Sequence, residues 1–304
     1  MRNSQRIWRA AKKGSCKLEE AIITEKLTKR YGDVRAAEDL DLKVYSGEIF
    51  GFLGPNGAGK TTTIRVLTTL TKPTSGRGWV SGFDVVKEPD KVKKVIGVVQ
   101  QHVSLDRDLT VRENMEFRAR LHHLGSSERR RRIDELLDYV GLTEQANRIV
   151  ETLSGGMKKR AMIVSSLIHR PKVLFLDEPT VGLDAQTRRR LWELIRRLHL
   201  DGTTIFLTTH YIEEAEALCQ RVGIIHQGHL IALGKPIELR QRLGSVAVET
   251  LVNNKETRYQ CFTDRAAATN FVQNLPPDVK TIIIRESNLE DVFVELTGRK
   301  VGDD

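Results

Sequence analysis

The sequence predicts an α/β protein, a parallel sheet flanked by helices, with a mostly helical segment inserted in it and a small α+β appendage behind it. Three observations carry this. The stretch EIFGFLG at 48–54 is short, apolar and β-favouring, and passes through a glycine-rich loop into a helical pattern. Two further buried-strand candidates, KVLFLDEP at 172–179 and TTIFLTTH at 203–210, alternate with amphipathic helices, as in a parallel sheet covered on both faces. After residue 235 the pattern changes to short strands and two helices, AAATNFVQNL and LEDVFVELTG. The expected divisions are a basic arm at 1–20, a main body at 21–235 with its helical part at about 101–170, and the appendage at 236–304.

The elements follow in order. From Ala21 the chain is β-rich up to the glycine loop. In KTTTIRVLTTL, Ile64, Val66, Leu67 and Leu70 suit the buried side of a helix. In SSERRRRIDELLDYVGL, Ser126 or Ser127 can cap, Ile133, Leu136, Leu137 and Val140 form the apolar face, and Arg129 to Arg132 are expected on a solvated face. Between the two later strands, AQTRRRLWELIRRLHLDG has helical periodicity and stops near Gly202. No internal repeat is visible.

Composition narrows the function classes. A hydrophobic fraction of 39% with 29% charged residues fits a globular protein, and no run approaches the roughly 18 apolar residues of a membrane-crossing helix. The chain is therefore not expected to span a membrane by itself, and its basic N-terminus lacks the apolar region of a secretion signal. Three scattered cysteines, Cys16, Cys219 and Cys261, suggest neither a disulfide framework nor a metal site. The net charge of +9 hints at nucleic acid, but residues 1–17 carry six basic side chains and no acid. That leaves the body nearly balanced and the arm a solvated tail.

The glycine loop, Gly54-x-x-x-x-Gly59-Lys60-Thr61, is the Walker A pattern. Its glycines let the backbone wrap phosphates, Lys60 neutralises β/γ-phosphate charge, and the Thr61 hydroxyl can reach Mg²⁺. Asp177 and Glu178 end an apolar strand, the edge where open α/β sheets bind ligands. There Asp177 suits a metal and Glu178 suits a general base; alone, two acids in that place are an ordinary strand end. His210 ends the next strand, either on the same edge as the two acids or as a cap for the helix YIEEAEAL. LSGGMKKR at 153–160 sets Ser154, Gly155 and Gly156 before a basic helical stretch, a second corner suited to phosphate.

GPNGAGKTT, LSGGMKKR, VLFLDEPTVGLD and LTTHYIEEAE, in that order over about residues 21–235, resemble the nucleotide-binding subunits of ABC transporters. The resemblance implies a P-loop NTPase ABC cassette with a helical subdomain, here followed by a C-terminal α+β appendage. It implies ATP and Mg²⁺, with Gly54, Pro55, Asn56, Gly57, Ala58, Gly59, Lys60, Thr61 and Thr62 around the phosphates and Tyr31 stacked on adenine. Thr61, Gln101 and Asp177 would face Mg²⁺, with Gln100 the neighbouring register for Gln101. Glu178 would be the base, His210 a γ-phosphate switch, and Asp184 a residue at a dimer seam. Ser154, Gly155 and Gly156 would grip the ATP held by Lys60 of a second cassette.

The implied partners are that second copy, most simply a homodimer, and a separate transmembrane permease, with no direct contact to nucleic acid. The implied location is peripheral, on the cytoplasmic face of the membrane. Met157, where many members have glutamine, resembles the drug-exporter branch, and EPTVGLD followed by QTRRRLWELI, with the closing SNLEDVFVELTGRK, resembles ABC-2-type exporters, including those for daunorubicin-like drugs. Three other readings compete. A soluble ABC ATPase acting on ribosomes or DNA would carry two cassettes or a long coiled coil. An importer subunit shares the cassette chemistry, and an ordinary phosphate-loop kinase leaves LSGG unexplained.

Overall fold

A computed structural model describes residues 19–252, 256–276 and 279–298; residues 1–18, most of the expected basic arm and Cys16, lie outside them. The described residues open with a hairpin of β1 (Glu20–Tyr31) and β2 (Val34–Tyr45). Next, β3 (Ile49–Leu53) enters the centre of the molecule and α1 (Lys60–Leu67) leaves it, before β4 (Ser75–Val80) and β5 (Phe83–Asp84) join the hairpin. These form an antiparallel sheet in the order β2-β1-β4-β5. Then α2 (Pro89–Val95) leads into β6 (Ile96–Val99), followed by three helices, α3 (Val111–Leu121), α4 (Ser126–Tyr139) and α5 (Gly155–Ser166).

The chain returns through β7 (Val173–Asp177), α6 (Ala185–Leu200), β8 (Thr204–Thr209), α7 (Ile212–Leu218), β9 (Arg221–His226) and β10 (His229–Gly234). The central sheet runs β10-β9-β3-β8-β7-β6. It is parallel except for β10, which is antiparallel to β9. Every residue of β3, β7 and β8 is buried, which is why these strands read as continuous apolar runs rather than alternating ones.

Alternate side chains along those strands feed two cores. Leu53, Leu174, Leu176, Ile205 and Leu207 join the layer of α3 to α7. Phe50, Phe52, Phe175 and Phe206 face α1 and the antiparallel sheet, with Phe50 and Phe206 stacked at 5.5 Å between ring centroids. Each buried aromatic contributes roughly 1.5–3 kcal/mol. The strand ends are therefore held rigidly, which fixes what the loops beyond them carry.

The remaining elements are α8 (Pro236–Leu243), β11 (Val246–Val252), β12 (Glu256–Phe262), α9 (Arg265–Gln273), β13 (Val279–Glu286) and α10 (Leu289–Thr297). The strands form an antiparallel sheet, β12-β11-β13. On α10, Leu289, Val292 and Phe293 join the same apolar cluster as Leu218 and Leu239, and the Leu289 N–H donates to Glu216 Oε1 of α7 at 3.0 Å.

Several local expectations change. Leu70 is 60% exposed, because α1 ends at Leu67 and the chain reverses through Thr69 at a φ of 64°. Ser126 opens α4 without capping it; Gly125 occupies the cap position. Arg132 is buried rather than solvated: it lies beside the Ile133–Leu136 stripe one turn before Leu136, and its guanidinium donates to the Leu167 carbonyl at 3.3 Å. Burial, with Arg170 nearby, pushes its pKa down to about 10. The strand β6 and the helix α8 gave no separate signal in the sequence.

Candidate active site

Parallel pairing brings three strand ends to one edge. Leu53 of β3 lies opposite Thr209 of β8, and Asp177 of β7 opposite Thr208. The next residues are Gly54, His210 and Glu178, so chemistry distributed over about 160 positions in sequence converges because the strands are flush.

The loop between β3 and α1 is held tightly. Gly59 has a φ of 106°, a conformation glycine adopts without a steric penalty, and a Cβ there would collide with the Ala36 carbonyl oxygen. Lys60 is 5% exposed and donates to the carbonyl oxygens of Gly54 and Pro55, each at 2.9 Å. Asn56, Gly57, Gly59, Lys60, Thr61 and Thr62, with Val34, Ala36, Gln101 and Glu178, line a cavity of about 270 Å³.

Glu178 is the hub. Its Oε1 lies 3.1 Å from Lys60 Nζ and 3.3 Å from His210 Nδ1, and its Oε2 accepts from Gln101 Nε2 at 3.2 Å. Glu178 itself has a φ of 46°, in the left-handed region that non-glycine residues seldom occupy and that recurs at functional sites. Its N–H is anchored by the Thr208 hydroxyl at 3.1 Å and the Thr208 carbonyl at 3.2 Å. The histidine is not a helix cap: Tyr211 holds the position before α7, leaving the His210 ring facing the carboxylate.

Asp177 sits beside the start of α1. Its Oδ1 accepts from Thr208 Oγ1 at 2.6 Å and from Thr61 Oγ1 at 3.2 Å. Thr208 was not singled out in the sequence, although a hydroxyl in the otherwise apolar IFL-TTH run was the available signal. Gln100 and Gln101 part company: Gln101 reaches Glu178, while Gln100 lines a separate cleft of about 390 Å³ with Ser104, Arg118, His122 and His169.

A profile of the ABC transporter family matches residues 37–181. The daunorubicin resistance ATP-binding protein DrrA3 of Streptomyces coeruleorubidus is 40% identical over 303 residues, covering 91% of this chain and 96% of its own length.

The chain belongs to the ABC transporter family.

Two further similarities agree. The linearmycin resistance ATP-binding protein LnrL of Bacillus subtilis is 38% identical over 93% of this chain and 100% of its own. The ATP-binding cassette MJ0796, solved as a dimer in a post-hydrolysis state with ADP and Pi, superposes with a TM-score of 0.64 at 28% identity, covering 70% of this chain and 98% of that one. The protein is an ATP-binding cassette ATPase with the P-loop NTPase fold.

The other candidate residues of this cassette lie apart from Glu178. Ser154 is the exposed N-cap of α5, its Oγ accepting from the Met157 N–H at 3.4 Å. Gly155 and Gly156 form the first turn, where helical N–H groups lack intrahelical acceptors. A Cβ on Gly156 would run into Thr187, so α5 and α6 approach closely there. Asp184 caps α6, accepting from the Thr187 N–H at 2.9 Å and the Thr187 hydroxyl at 2.6 Å. These bonds hold its carboxyl below the usual aspartate range. Tyr31 is 45% exposed at the end of β1, with the Lys29 ammonium 4.8 Å from its ring centroid.

Proposed function

We propose that this cassette is the ATP-hydrolysing motor of a membrane exporter, in which two copies close on two ATP molecules and drive a separate transmembrane subunit. The observation that carries the chemistry is Glu178, a buried carboxylate reached by Lys60, Gln101 and His210 at 3.1, 3.2 and 3.3 Å.

In this reading the N–H groups of 57–62 cradle the phosphates at the start of α1, where the helix dipole favours anions. An entering phosphate competes with Glu178 and with the Gly54 and Pro55 carbonyls for the Lys60 ammonium. Binding thereby transfers Lys60 to the phosphate and frees Glu178 to accept a proton from the attacking water. His210 and Gln101, both in contact with Glu178, orient that water and sense the γ-phosphate. The Tyr31 ring, exposed at the end of β1, takes adenine.

The residues present fit Mg²⁺. Thr61 Oγ1 and Asp177 Oδ1 are hard oxygen donors 3.2 Å apart, the kind of donor that ion takes beside substrate phosphates, with Gln101 close by. When bound, the ion neutralises charge on the β- and γ-phosphates.

Ser154, Gly155 and Gly156 face outward, so they suit the γ-phosphate of ATP held by Lys60 of a second copy, with Asp184 at the seam. Among the described residues no helix is long and apolar enough to cross a membrane; in this reading the motor acts at the membrane through its partner, from the cytoplasmic face. The cleft lined by Gln100, Ser104, Arg118, His122 and His169 suits a segment of that partner. Export is supported by the relatives named for resistance to daunorubicin and linearmycin.

Glu178→Gln tests the core of this. The variant should bind ATP, form an ATP-dependent closed dimer on size exclusion, and lose turnover by roughly 10²- to 10⁴-fold, the span of a general base. Hydrolysis at the parental rate would remove Glu178 from that role. Co-purification of the cassette with a membrane protein, weakened by Arg118→Glu, tests the docking cleft.

A further inference from the structure

One buried cation joins the two glycine corners within a single copy, and neither the Walker A nor the signature chemistry uses it. Lys159 lies on α5, five positions after Ser154, and is 6% exposed. Its Nζ reaches away from the signature to the loop after β6, donating to the Gln101 carbonyl at 2.7 Å and the Gln100 carbonyl at 3.4 Å. The Gln101 side chain in turn donates to Glu178. A continuous polar path therefore runs from the signature helix through Lys159 and the Gln101 backbone to the carboxylate hub, bridging 58 positions between Lys159 and Gln101 and 77 between Gln101 and Glu178. Burial lowers the Lys159 pKa, opposed by the nearby Asp177 and Glu178 charges, so the ammonium sits within electrostatic reach of both acids. A lysine in so dry a place is retained only with good acceptors, and here both are main-chain oxygens of the loop that carries Gln101.

We propose that Lys159 is a positioning residue that ties α5 to the Gln101 loop, so that engagement of Ser154–Gly156 with the partner copy's ATP is transmitted to Gln101 and Glu178 of this copy's own site. This rests on the two-copy reading above. It makes the two ATP sites of a dimer interdependent: a shift of α5 on closure moves the Gln101 carbonyl and, with it, the amide that holds Glu178. Such coupling needs a defined element that both sites bias, and α5 is that element.

The test uses the purified full-length chain. Lys159→Met keeps the aliphatic length and removes the N–H donors. Expected results are ATP affinity within twofold of the parent, turnover reduced tenfold or more, and faster amide exchange at 100–103. Lys159→Arg, which keeps the charge and the donors, should restore most of the turnover. Combining Lys159→Met with Gln101→Ala should lose little more than either change alone, as residues on one path behave. The proposal is overturned by parental turnover in Lys159→Met, by failure of Lys159→Arg to restore it, or by multiplying losses in the double variant. Parallel falls in ATP affinity and melting temperature would also overturn it, by marking a purely structural role. Ser154→Arg separates this from the reading beneath it: normal turnover there sinks the two-copy site itself, whereas a dead Ser154→Arg beside a normal Lys159→Met sinks only the tether.

Discussion

The corners at the N-termini of α1 and α5 are both glycine-rich, both open a helix and both suit phosphate, but they are held in opposite ways. The first is closed: Lys60 is buried, bonded to the loop carbonyls and paired with Glu178. The second is open, with Ser154 exposed and bonded only to its own first turn. What distinguishes them is the wall behind. The first faces the C-terminal edge of β7 and β8, which supplies Asp177, Glu178 and His210. The second backs onto α6 through Gly156 and Thr187 and leaves its polar side to whatever docks on it. A closed corner can assemble a reaction; an open one can complete someone else's.

The comparison breaks most visibly at Lys60. Lys60→Ala removes charge-assisted hydrogen bonds worth up to about 3 kcal/mol, so ATP affinity should fall by roughly 100-fold in a fluorescent-nucleotide titration. It also strips buried Glu178 of its lysine, and losing one member of a buried pair costs roughly 3–5 kcal/mol. A fall in melting temperature should therefore accompany the loss of binding, and unchanged melting would mean the corner is less closed than its geometry indicates. Ser154→Arg should behave in the opposite sense. Turnover should drop about tenfold or more through the loss of a transition-state contact, while ATP affinity stays near the parent and melting falls only by the small amount that losing the α5 cap costs; weakened ATP binding by the monomer would contradict the open-corner description. Ser154→Ala is the mildest case. It adds no bulk at the seam and removes the hydroxyl that caps α5, costing about 1 kcal/mol, a shift of about 2 °C in melting temperature for a chain of this size. No shift at all would show the cap to be idle.

The parallel sheet was legible because its strands are buried on both sides and so carry unbroken apolar runs, VLFL in VLFLD and IFL in TIFLTT. The helix α6 was legible for the complementary reason, its buried Leu191, Leu194, Ile195 and Leu198 recurring at helical spacing. Arg132 was misread because a residue at the border of an apolar stripe can turn either way, and only the Leu167 carbonyl of α5's C-terminal end decides it. Leu70 was misread because periodicity continues through a helix end that Thr69 terminates by its backbone conformation.

By itself, then, the sequence determined the fold class, the family and the residue types available for phosphate chemistry, since these depend on neighbours one to four positions apart and on motifs of unbroken order. Tertiary structure alone decided which of those residues meet. It set Gln101 rather than Gln100 against Glu178, placed His210 beside that carboxylate and left the cap of α7 to Tyr211, brought Thr208 to Asp177, and aimed Lys159 at the Gln101 backbone. Each of these contacts spans 31 to 77 positions, a separation over which local periodicity carries no information and only the packing of rigid strand ends against α1 and α5 sets the distance.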